Sequence, residues 1–349
     1  VKENIIIGRA FDNIFLRIGK VDLRKAGLTV DSINCLEKYI KEYSYYKCIY
    51  SGLFNRAINK LRKPVDESTF VDYGGGTGIL SLLALEAGFK TVIYIDIHES
   101  SVTDSRIISE IADLHADYKI CGDIHDLKNI IESKDINPDI ICSMDVLEHI
   151  YDLDIWISTL AGIKKKFSVL FMTGANARNP YIAAGIRKLH FVAEYRGCER
   201  NIRKGDVYID CSNLEEREKI IKAGFAVLDS KLISWLAKMT RGLRKVDIEQ
   251  SVKNYLVTGH IELKEHLSTN TCDPYTGSWT ERLIEPSYLK NIAERYGMKI
   301  SFSNSLYCYS GRKMLNVGKF LMNIILRIAG RGNLFFSPSL IVGIEKTDS

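Results

Sequence analysis

The sequence predicts a doubly wound α/β fold, with a seven-stranded, mostly parallel sheet whose last strand runs antiparallel, a helical N-terminal region and a large insertion after strand five. Three observations carry this. Short apolar runs recur from about residue 66, namely TFVDYG, TVIYID, DYKICG, PDIICSMD and FSVLFMTG, with longer amphipathic segments between them. Runs that are apolar throughout, instead of alternating, suit strands buried on both faces by helices. A glycine-rich turn closes the first run, and two further strand-like runs, KISFSNSLYCY and SLIVGIEK, come near the end of the chain.

Residues 1–65 read as mostly helical and lack strand alternation. The first five strands are expected at about 68–73, 91–95, 118–121, 139–144 and 167–172, within a core spanning 66–178. A regular sheet would then continue with its next helix, yet the helix-like PSYLKNIAERYG begins only at residue 286. So long a connection must have structure of its own. It is expected to form an inserted cap over 179–284, with helical patterns LEEREKIIKAGF, VDIEQSVKNYLV and IELKEHL and the loop TCDPYTGSWTERL. Residues 285–349 complete the core. Between the last two strands, LNVGKFLMNIILRIAGRG (315–332) is expected to face the core; attachment to a membrane surface is the less favoured reading.

Composition narrows the function classes. The chain has 349 residues, is 46% hydrophobic and carries 48 basic against 43 acidic side chains. The net charge of +5 is interspersed apart from clusters such as Lys164-Lys165-Lys166, too mild to argue for nucleic acid. The eight cysteines are scattered without a C-x-x-C pair, so they read as reduced residues of a cytoplasmic protein. In VKENIIIGRAFDNIFLRIGK, Arg9, Asp12 and Arg17 interrupt the apolar residues, so neither a signal segment nor a membrane span fits. Residue 1 is not methionine, and that expectation covers only the chain as written.

The turn after the first strand reads VDYGGGTGILSL. A dinucleotide fingerprint needs glycines at relative positions 1, 3 and 6, whereas Gly74, Gly76 and Gly78 stand at 1, 3 and 5. No Lys-Ser or Lys-Thr follows, as a Walker phosphate loop requires. Asp72 sits where a phosphate would be repelled. What remains is D-x-G-x-G-x-G after strand one, an acid (Asp96) after strand two, an acid (Asp123) after strand three and D-x-x-E-H after strand four. Each aspartate alone could be a helix cap and the glycines alone a tight corner. Their joint order at strand C-termini is what points to a ligand.

This order resembles the class I, Rossmann-like S-adenosylmethionine-dependent methyltransferases, and the resemblance covers residues 66–174. It implies S-adenosylmethionine as cofactor, with Asp72, Gly74, Gly76 and Gly78 around its methionine and ribose portion. Asp96 would accept from the ribose hydroxyls, and Ile97 would lie against adenine. Asp123 would accept from the adenine amino group, with Ile124 supplying a backbone N–H and Met144 belonging to the fourth motif. The expected reaction is O-methylation of a small molecule, a sugar or a cell-surface glycan precursor, because D-P-x-T-G-x-W-T-E-R looks like a run found in glycan-associated methyltransferases. The alternatives are a quinone or aromatic O-methyltransferase, perhaps metal-assisted, and a non-catalytic nucleotide-binding regulator of the same fold.

A hydroxyl acceptor must lose a proton, and His149 is the expected base, with Asp145 beside it in the motif. At spacing i, i+3, i+4, Asp145, Glu148 and His149 could share a helical face and hold a divalent ion. The spacing does not decide between the two roles, and no metal is assigned. Substrate contacts are expected from Tyr181 and Arg187 after strand five and from Tyr275, Trp279 and Arg282 in the insertion, since aromatics beside arginine suit stacking on a ring and fixing of polar groups.

Overall fold

The structure is a computed structural model that describes residues 2–197, 199–202, 206–209, 211–261, 269–311, 313–330 and 332–346. Helices α1 (Lys2–Ile18), α2 (Val30–Lys41) and α3 (Tyr43–Ile58) lead into β1 (Thr69–Tyr73), α4 (Ile79–Glu86), β2 (Thr91–Asp96), α5 (Glu99–Ala112) and β3 (Tyr118–Cys121). Then come α6 (Ile124–Ser133), β4 (Ile140–Met144), α7 (Leu153–Gly162), β5 (Ser168–Thr173) and α8 (Pro180–Tyr195). A two-stranded hairpin, β6 (Glu199–Ile202) and β7 (Asp206–Ile209), precedes α9 (Asn213–Gly224), α10 (Ser230–Met239) and α11 (Lys245–Thr258). The chain closes with α12 (Pro286–Arg295), β8 (Met298–Asn304), α13 (Lys313–Ile328) and β9 (Leu340–Lys346). The expected helix IELKEHL falls, apart from Ile261, outside the described residues.

The seven-stranded sheet has the order β3-β2-β1-β4-β5-β9-β8, with β1 to β5 mutually parallel and β9 antiparallel to both neighbours. The order reverses between β1 and β4, and in open α/β sheets that switch point leaves a crevice beyond the strand C-termini. β1 and β5 are buried along their whole length, as expected of strands covered on both faces.

Contacts divide the chain into two compact units. The first comprises Val1–Leu147, Leu153–Gly174 and Pro286–Ser349, and it holds the sheet. The N-terminal helices share its core: Phe11, Ile14, Phe15 and Ile18 of α1 and Leu53 and Phe54 of α3 pack in one cluster with Phe70, Leu80, Leu83 and Phe89. At about 1.5–3 kcal/mol per fully buried large side chain, that face anchors residues 1–65 to the sheet. Helix α4, ILSLLALE, is buried over Ile79–Ala84 because it lies inside this cluster. The second unit comprises Glu148–Asp152 and Ala175–Glu285. Its small core gathers Ile220, Ile221, Ile233, Leu236, Ile248 and Val252 from α9, α10 and α11, with Leu243 from the turn between the last two. Beside it a fully buried Arg217 pairs with Glu194 and donates to the Ala237 carbonyl at 2.7 Å, while Thr271 donates to the same glutamate at 2.7 Å.

Three expectations are corrected. The cysteines are not all reduced, because Cys48 of α3 and Cys308 form a disulfide across 260 residues; Cys35, Cys121, Cys142, Cys211 and Cys272 are reduced thiols, and Cys198 lies outside the described residues. Helix α13 does not face the core: among its large apolar residues only Leu326 is buried. Its polar residues turn inward instead. Asn316 bonds both backbone groups of Ser310, Asn323 bonds those of Tyr307, and Lys319 donates to the Cys308 carbonyl. The segment SLYCY, expected as the end of a strand, is the irregular strap that receives these bonds. No helix among the described residues is long and apolar enough to cross a membrane.

Candidate active site

The loop after β1 is glycine-rich for reasons the coordinates make specific. Gly74, Gly76 and Gly78 all have positive φ (66°, 50° and 77°), where side chains are disfavoured. Gly75 has no such torsion, yet a Cβ there would stand 2.4 Å from the Tyr94 ring. Tyr94, on β2, lies beneath the loop and donates its hydroxyl to the Gly76 carbonyl at 2.8 Å. Tyr94 was not foreseen from the sequence. Its signal is positional, two residues before Asp96 and therefore on the same face of the strand.

The three aspartates take distinct roles. Asp72 is buried, and its Oδ2 accepts from the Ser81 amide at 2.9 Å and hydroxyl at 2.8 Å, tying the loop to the first turn of α4. Burial pushes its carboxyl up to about 7 against the lowering effect of the Ser81 bonds, and the neighbouring Asp96 adds to the rise. Asp96 accepts from Gly76 N through Oδ2 and from His98 N through Oδ1, both at 2.9 Å. A carboxylate oxygen has two acceptor positions, so each retains one for a diol. Asp123 caps α6: its Oδ1 accepts from His125 N at 2.8 Å, while Asp126 accepts from Asp123 N at 2.9 Å. Ile124 opens that helix, where backbone N–H groups have no intrahelical acceptor. Between these acids Ile97 is 66% exposed, an apolar surface at the sheet edge. Met144 is half-buried at the end of β4.

The D-x-x-E-H run does not form the helical face expected of it. Asp145 has a φ of 52°, and its Oδ1 accepts from Gly174 N at 3.0 Å. Only Leu147–His149 then forms a single 3-10 turn. An αL residue breaks the i, i+3, i+4 alignment, so Asp145 belongs to the first unit while Glu148 and His149 begin a segment of the second. Within the second unit, His149 Nδ1 lies 2.9 Å from the Trp279 carbonyl oxygen. Donation to that carbonyl fixes the tautomer and leaves Nε2 as the basic nitrogen. Glu148, His149 and Glu281 each present one potential ligand atom, all within 4.8 Å of one another. Glu281, whose φ of 49° is unusual for glutamate, joins them from the loop TCDPYTGSWTERL.

Residues 43–201 match the sequence profile of a methyltransferase domain. This part of the chain is a methyltransferase domain. The matched span covers all five parallel strands β1 to β5. No curated protein sequence matches the chain. Among solved structures it is similar to an S-adenosylmethionine-dependent methyltransferase from Clostridium acetobutylicum, at 12% identity over 90% of this chain and 100% of that one, with a TM-score of 0.44. Magnesium protoporphyrin IX methyltransferase from Synechocystis PCC 6803, with bound S-adenosylhomocysteine, is 12% identical over 86% of this chain and 82% of that one, at a TM-score of 0.40. A methyltransferase from Agrobacterium tumefaciens is 19% identical, but the match covers 36% of this chain and 43% of that one, at 0.28. With TM-scores this low, these likenesses add nothing to the argument from the profile and the loop.

The residues expected to touch substrate divide by burial. Trp279 and Arg282 are interior, 4% and 5% exposed. Trp279 donates Nε1 to the Tyr151 carbonyl at 3.1 Å and stacks on the Tyr151 ring, with the Arg282 guanidinium over its own ring at 4.6 Å and that of Arg244 over Tyr151 at 4.8 Å. This layered stack holds the loop of Asp273–Ser278, whose backbone folds onto the Asp273 carboxylate. Tyr181 and Arg187 lie exposed on α8. Tyr275 is also exposed, and it lines a depression of about 320 Å³ with Lys219, Lys245 and Glu249.

Proposed function

We propose that this methyltransferase O-methylates a hydroxyl of a small polar acceptor, a sugar or glycan precursor, with His149 as the base. The observation that carries the reading is the His149 imidazole, held through Nδ1 by the Trp279 carbonyl with two carboxylates nearby. The acceptor oxygen attacks the sulfonium methyl in line, the carbon–sulfur bond breaks, and S-adenosylhomocysteine leaves as a neutral sulfide. The hydroxyl proton passes to Nε2, and Glu148 and Glu281 favour the imidazolium that results. The reading requires Nε2 to reach that hydroxyl. Exposed Tyr181, Arg187 and Tyr275 support a ring-bearing, hydroxyl-rich acceptor through stacking and polar contact. Asp145, through its bond to Gly174 N, sets the turn that leads into the His149 segment.

A second reading rests on a specific observation: Glu148, His149 and Glu281 are a donor set that suits a divalent ion, which would polarise the acceptor oxygen of a quinol or catechol. Turnover of a panel of nucleotide sugars and quinols with methyl-labelled cofactor, with and without EDTA, separates the two. Base catalysis predicts methylated sugar, resistance to EDTA and a loss of about 10²–10⁴-fold in His149→Ala at unchanged cofactor affinity. Activity abolished by EDTA and restored by a divalent ion would instead assign the cluster to metal. Full activity of His149→Ala in EDTA would remove both readings.

A further inference from the structure

Helix α13 is built inside out, and its outer face identifies a partner. Asn316, Lys319, Asn323 and Leu326 form one stripe that bonds or packs inward; Lys319 also sits over the Tyr45 ring at 5.4 Å. The remaining arc presents Met314, Leu315, Val317, Phe320, Leu321, Ile324, Ile325 and Ile328 to solvent, with Met314 and Ile328 at 90% and 82% exposure. A water-facing helix has the reverse polarity. So large a contiguous apolar surface marks an interaction site.

Charge decides what covers it. Between Glu294 and Glu345 the chain contains no acidic residue, yet it carries Arg295, Lys299, Arg312, Lys313, Lys319, Arg327 and Arg331. Arg327 is exposed beside the apolar arc. A second copy docked on the same face would bring two acid-free, basic segments together without compensating charge. An anionic lipid surface supplies an apolar phase for the arc and negative headgroups for the cations. The 16 residues of the helix extend about 24 Å, short of the roughly 30 Å hydrocarbon core, so it lies along a bilayer and not through it.

We propose that the outward face of α13 seats the protein on a bilayer containing anionic phospholipid. Vesicle flotation of the full chain tests this, using phosphatidylcholine alone and phosphatidylcholine with phosphatidylglycerol, each at low and high salt. The chain should float with the anionic vesicles and less so at high salt. The double variant Phe320→Glu, Ile324→Glu changes only exposed positions, and should lose partitioning by about a hundredfold or more, since each buried aromatic or branched side chain contributes at least a tenfold factor. Its melting temperature and affinity for S-adenosylhomocysteine should match the parent. Absence of flotation, or equal flotation with neutral vesicles, overturns the proposal. So does a vesicle-indifferent dimer that the double variant converts to monomer, which would assign the face to a second copy.

Discussion

Asp72→Asn should stabilise the empty protein above neutral pH while weakening its hold on the cofactor. Asp72 is 1% exposed, and Ser81 donates both of its bonds to a single carboxylate oxygen. Burial raises the carboxyl from 3.8 to about 7. Because the folded value lies above the unfolded one, the folded protein keeps a proton through this window that the unfolded chain has released. Stability is therefore greatest on the acidic side and falls as pH rises from about 4 to about 7. A gap of about three units at about 1.4 kcal/mol each gives a loss of about 4 kcal/mol by pH 8. Asparagine keeps an acceptor oxygen for Ser81 and cannot ionise. Urea unfolding of both proteins at pH 5 and pH 8 reads the difference: the variant should gain on the parent at pH 8, and the gain should shrink at pH 5. In the parent, the cationic cofactor should favour the ionised carboxylate, so binding below pH 7 should release a proton that the variant does not. A stability difference of the same size at both pH values would refute the reasoning.

The remaining expectations concern packing around the two clusters. Gly75→Ala should destabilise by about 1–3 kcal/mol, because its Cβ would stand 2.4 Å from the Tyr94 ring; a melting temperature equal to the parent's would show that the loop yields freely. Trp279→Ala should cost about 3–5 kcal/mol, measured by urea unfolding, since the indole is interior and stacked on Tyr151. Lost turnover with unchanged stability would return Trp279 to the role of substrate contact.

The strands were legible because burial on both faces leaves continuous apolar runs; the observed Thr69–Tyr73, Thr91–Asp96 and Tyr118–Cys121 lie within about a residue of expectation. The glycine loop was legible because left-handed torsions demand that residue. Asp145 and Glu281 reach the same region with side chains that do not announce it, so the break in D-x-x-E-H was invisible. The link between Cys48 and Cys308 has no local signal at a separation of 260 residues. Helix α13 was misread for a different reason. Hydrophobicity records avoidance of water, and it does not say whether the apolar neighbour is the protein's own core. Asn316, Lys319 and Asn323 recur at helical spacing, but only their partners in the strap at Tyr307–Ser310 reveal that their face is the inner one.

The most direct test of the account is calorimetric titration of the chain with S-adenosylhomocysteine and, separately, with NAD. The glycine loop and Asp96 predict saturable binding of the first and none of the second, with Asp96→Ala weakening the first by about 1.5–3 kcal/mol, the range for hydrogen bonds to a charged group. Saturable heat from NAD together with none from millimolar S-adenosylhomocysteine would contradict it.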